Sequence, residues 1–104
     1  MATSREVTEG QQDQGTDESI AYWFNSTPWG STPTGVAVAC YDITTGARTD
    51  VTGTNLTGTA SVVGDKITLP ALHSLTADHT YRVEAKFTVD GNVLETFVVV
   101  KAEY

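Results

Sequence analysis

Between Tyr81 and Asp90 apolar and polar positions alternate without a break, with Tyr81, Val83, Ala85, Phe87 and Val89 set against Arg82, Glu84, Lys86, Thr88 and Asp90. A period of two sends successive side chains to opposite faces of an extended chain, so the run predicts a strand with one buried face and excludes a helix. Asp90-Gly91 follows, a dipeptide suited to the positive φ values of a type I′ turn. Asn92 to Ala102 then predicts the antiparallel return strand, with Leu94, Val98 and Val100 on one face and Phe97 and Val99 on the other.

Upstream the pattern is shorter-ranged. Val36 to Ile43 is apolar almost throughout, as in a central strand covered on at least one side. Ile20-Ala21-Tyr22-Trp23-Phe24 predicts a short strand carrying aromatics on both faces, and Thr27 to Gly35, with two prolines and two glycines, predicts a loop. Asp50-Val51-Thr52 suggests a short edge strand. Thr57 to Val62 and Lys66 to Leu69 predict a hairpin about Val63-Gly64-Asp65, where Gly-Asp supplies the positive φ values of a tight turn. No run shows helical periodicity and no repeat is visible. Six or seven antiparallel strands with frequent turn signals predict an all-β sandwich.

Composition divides the chain. From Met1 to Glu18 only Met1, Ala2 and Val7 are apolar, too little to offset the entropy of ordering. Residues 1–18 are therefore expected to be a disordered acidic arm, and residues 19–104 the folded domain. The formal net charge is −7, and the bases Arg48, Lys66, Arg82, Lys86 and Lys101 are dispersed along the chain. Phosphate recognition needs a clustered basic face, so nucleic acid and anionic membrane are excluded as partners.

Leu75-Thr76-Ala77-Asp78-His79-Thr80-Tyr81 resembles the tyrosine corner of immunoglobulin-like and fibronectin type III domains. That resemblance implies that Leu75 packs under a chain reversal while the Tyr81 hydroxyl bonds to nearby backbone. It also implies that Tyr81 to Val89 is the F strand and Asn92 to Ala102 the G strand. Unlike antibody domains, the chain has Val83 where the second core cysteine would lie, and no tryptophan in the C strand. From Asp17 onward, Ile20, Tyr22, Pro28-Trp29-Gly30, Val36 to Asp42, Gly64-Asp65-Lys66-Ile67 and Tyr81-Arg82-Val83 are similar to small Ig-like proteins encoded among the structural genes of tailed phages and prophages. This resemblance implies a place in or near a virion.

No residue set announces chemistry. Cys40, the single cysteine, sits in an apolar run and reads as a buried, inert thiol. His73 and His79 read as exposed loop histidines, since a metal site wants more ligands. Asp42, Asp50, Asp65, Asp78 and Asp90 fall at turns, where Asp caps backbone amides. No D-x-D calcium loop, paired acid and base, or nucleophile motif occurs, so no cofactor, metal or catalytic residue is assigned and the chain is expected not to be an enzyme. No leader or membrane-spanning pattern is visible, and the phage resemblance then implies a bacterial cytoplasm or a virion. Trp23 and Trp29 remain as candidate partner-binding residues, because tryptophan is enriched at interface hot spots. The expected role is a structural or interaction module with protein partners; a glycan- or cell-surface-binding adhesion module is the alternative.

Overall fold

A computed structural model describes residues 12–27 and 29–103. Its strands are β1 (Gln12–Gly15), β2 (Trp23–Asn25), β3 (Thr34–Asp42), β4 (Thr49–Asp50), β5 (Leu56–Thr57), β6 (Ser61–Val63), β7 (Lys66–Thr68), β8 (Ala71–Leu72), β9 (Thr80–Val89) and β10 (Asn92–Glu103), with one helical turn, α1 (Thr52–Asn55). The all-β expectation holds. The strands form a five-stranded sheet in the order β1-β10-β9-β3-β4, a three-stranded sheet β2-β7-β6 and a two-stranded sheet β5-β8.

The alternation in β9 does what its period requires: Tyr81, Val83, Ala85, Phe87 and Val89 are all buried. The β9–β10 hairpin closes with Asp90 at φ 51° and Gly91 at φ 80°, the backbone of a type I′ turn. Thr96, Val98, Val100 and Ala102 of β10 and Cys40 of β3 share the buried face. Phe24 and Ile67 oppose them from the three-stranded sheet, and one core cluster joins the two layers.

Several expectations are corrected. Residues 1–11 of the expected arm lie outside the described residues, but residues 12–15 are a strand, paired in parallel with Val100 to Glu103. The five-stranded sheet is thus mixed rather than antiparallel. The expected strand 20–24 is reduced to β2, because Ile20 makes only an isolated bridge to Leu72. The expected strand 57–62 is broken at Gly58, which takes φ 97°. Thr52, expected in an edge strand, instead opens α1 and turns its hydroxyl onto the backbone N–H of Cys40 at 2.9 Å. In the β6–β7 turn Gly64 alone takes positive φ, at 60°, as a type II′ turn asks of its first central residue.

Candidate functional site

The six outward side chains of the three-stranded sheet are Trp23 and Asn25 of β2, Ser61 and Val63 of β6, and Lys66 and Thr68 of β7. Their in-between neighbours Phe24 and Ile67 point into the core. Strand pairing sets Val63 opposite Lys66 and Trp23 opposite Thr68. The Lys66 ammonium lies 4.5 Å from the centre of the Trp23 ring, a cation–π contact. Trp23 remains 55% exposed and Val63 77% exposed, so two apolar side chains stand outward among three neutral polar ones and a single base. None of the six residues is acidic, in a chain with 13 carboxylates.

Trp29 sits elsewhere. Its ring centre lies 6.2 Å from that of Phe24 and 6.3 Å from that of Phe87, closing the rim of the core between the layers. The loop is folded back by Ser26, whose carbonyl accepts from the N–H groups of Trp29 and Gly30 at 2.8 and 3.0 Å. Asp65 holds it from the β6–β7 turn, accepting from the Thr27 hydroxyl and the Thr32 N–H, both at 3.0 Å. The structure therefore separates the two tryptophans. The loop covers the inner side of β2 and leaves Trp23 uncovered.

Leu75 and Tyr81 lie in the same core cluster. Both are buried, and the Tyr81 hydroxyl accepts a hydrogen bond from the Thr76 N–H at 2.9 Å. His79, stacked on the Tyr81 ring, contacts the Asp42 carboxylate at 2.7 Å. His73 instead contacts Thr57 and Ser74. The two histidines thus serve separate joints, and among the described residues no cluster of three or more His, Cys, Asp or Glu side chains is positioned to hold a metal. Burial pushes the Cys40 thiol up to about 12, with Asp42 and Asp50 adding to the shift, so the thiolate needed for nucleophilic chemistry does not form near neutral pH.

A second constellation went unseen in the sequence. On the outer face of the five-stranded sheet the Arg82 guanidinium lies 3.8 Å over the Phe97 ring and that of Arg48 4.1 Å over Tyr41. Both arginines contact Glu84: Arg48 Nη2 at 2.7 Å and Arg82 Nε at 2.8 Å. The Arg82 contact is off the N–H line, so it is an ion pair without a well-aligned hydrogen bond. Register assembles this group, setting Tyr41 opposite Arg82 and Glu84 opposite Phe97. The only linear signal is the polar half of the β9 alternation.

No family model matches the chain, and comparison with curated proteins and with solved structures finds no match. No helix among the described residues is long and apolar enough to cross a membrane.

Proposed function

We propose that the chain is a non-enzymatic structural or interaction module, an immunoglobulin-type β-sandwich that engages a protein partner through the outer face of β2-β7-β6. The observation that carries the reading is Trp23, 55% exposed on an open sheet face. A large aromatic held on a rigid strand offers contact area at little cost in conformational entropy, which is why tryptophan anchors so many interfaces. The Lys66 ammonium occupies part of the ring surface that a stacked sugar would use, which favours a protein partner over a glycan.

Strand order supports the sandwich type. β3, β9 and β10 lie side by side as C, F and G do, β4 extends that sheet as an added edge strand, and β2-β7-β6 is ordered as B, E and D. The tyrosine-corner bond adds to this. The setting, a tailed-phage or prophage assembly, rests on the sequence resemblance of residues 17–104.

The test is to offer the immobilised full chain and its Trp23→Ala variant to dissociated virion proteins of the encoding phage and, separately, to a glycan array. Capture of a defined virion protein by the parent, reduced tenfold or more in the variant, is the expected result. Protein capture indifferent to Trp23, or Trp23-dependent retention of glycans alone, would overturn it.

A further inference from the structure

The second feature is an edge. β4 pairs with β3 only at Tyr41 and Asp42, so among the described residues β3 from Thr34 to Ala39 has no strand partner on that side. The backbone groups of Cys40 face this side too, but they are used: the N–H donates to Thr52 Oγ1 and the carbonyl accepts from the Val51 N–H, both at 2.9 Å. Backbone direction alternates residue by residue in an antiparallel pair, so the N–H and C=O of Val38, two residues earlier, point the same way. Nothing described meets them there.

We infer that this edge joins two copies of the chain, β3 pairing antiparallel with its symmetry mate about a two-fold axis through Val38. A strand edge is self-complementary about such an axis. Val38 of each copy exchanges both backbone hydrogen bonds with Val38 of the other. The flanking pairs, where side chains approach most closely, then set Ala37 against Ala39 of the mate, the smallest side chains compatible with a strand. The ladder stops there, because on this edge Cys40 is closed by Val51 and Thr52 and Tyr41 faces Asp50 of β4.

Charge points to a second copy as well. In a chain of net charge −7, copies repel wherever carboxylates meet, yet Thr34 to Tyr41 carries no charged residue. The other edges are guarded or short: β1 bears Asp13, β4 is two residues ending in Asp50, and β2 and β6 have three residues each. Short strands and edge charges are common devices against pairing, and the β3 edge from Ala37 to Ala39 has neither, the register shift of this strand lying before it, between Thr34 and Ala37. Because Thr52 and Val51 close the edge at Cys40, the shared ladder is brief and the association is weak and concentration-dependent. The site is separate from the Trp23 face and stands or falls independently of it.

Analytical ultracentrifugation of the full chain from low to high micromolar concentration tests this, with Ala37→Glu and Val38→Pro as variants. Ala37 is exposed and faces Lys86 across the ladder, so glutamate is tolerated within the domain while blocking the mate. Proline at 38 removes only an N–H directed at the open edge. The expected result is a mass rising from 11.1 kDa toward twice that value in the parent, with at least one well-folded variant, by circular dichroism, remaining a single chain. A parent that stays one chain throughout, or a dimer that survives in both folded variants, would overturn the inference.

Discussion

Gln14 is the fully buried side chain of β1, and its hydrogen bonds explain how so polar a segment is held. Its amide nitrogen donates to the carbonyls of Leu72 at 2.7 Å and Glu18 at 3.0 Å, while its amide oxygen accepts from the Tyr22 hydroxyl at 2.9 Å. Burial, then Glu18 and Asp13, push the Tyr22 phenol up to about 12, which keeps it a donor across the working pH range. Two acceptors and one donor match a carboxamide and reject a carboxylate. Gln14→Glu should therefore cost about 2–3 kcal/mol at neutral pH, by setting a buried anion against two carbonyls; urea unfolding of the two chains measures it. At the other end of the domain, Tyr81→Phe strands the Thr76 N–H and should cost about 1–2 kcal/mol in the same assay. The two residues differ in legibility. Leu75 and Tyr81 were readable because their partners lie within six positions, whereas Gln14 was hidden because its socket comes from Leu72 and Tyr22, and composition alone marked residues 12–18 as unable to order.

At the scale of elements, close approaches decide what pattern cannot show. The Trp29 loop crosses the β9–β10 turn so tightly that a Cβ on Gly30 would lie 2.7 Å from Val89 Cγ2 and 2.5 Å from Asp90 Oδ2, at a φ of 148°. Val89 is buried and cannot yield, so Gly30→Ala should destabilise by about 1–3 kcal/mol and alter Trp29 fluorescence while Trp23 stays open to a soluble quencher. The β3–β9 joint responds to acid instead. Burial pushes the Asp42 carboxyl up, but hydrogen bonds from the Thr44 hydroxyl and N–H and the contact with His79 outweigh it, and its pKa falls below the ordinary 3.8. A lowered folded pKa means that this contribution is present above about pH 3.8 and lost as pH falls through the folded value. Asp42→Asn should flatten that acid limb in stability measured against pH, leaving only the part due to other carboxylates. Long strands were legible here: β9 and β10 emerge nearly to the residue from repeated alternation, and β3, within two residues, from its nearly continuous apolar run. Of the two- and three-residue strands, β7 and its turn with β6 were legible, whereas β8 was not, since its pairing with β5 comes from a neighbour distant in sequence, and Gly58 breaks a run that composition alone would keep whole.

For the whole molecule, the two main layers meet in a single core cluster containing Phe24 and Ile67 from one and Phe87, Val83 and Cys40 from the other. Neither layer buries its apolar face alone, so they must form together. Unfolding should accordingly be one cooperative transition, with near-ultraviolet and far-ultraviolet circular dichroism and Trp29 fluorescence tracing the same urea curve; separated curves would mean that the layers are independent. β1 is the exception that the same reasoning requires. It adds no apolar side chain to the core and holds through the Gln14 socket and the parallel ladder, so its loss exposes little apolar surface. Hydrogen exchange should find the amides of residues 12–15 opening at a free energy below the global value, while those of β9 and the facing half of β10 exchange only through complete unfolding. Gln14→Glu should then lower the first energy far more than the second, showing that the polar socket, and not the shared core, keeps this strand in place.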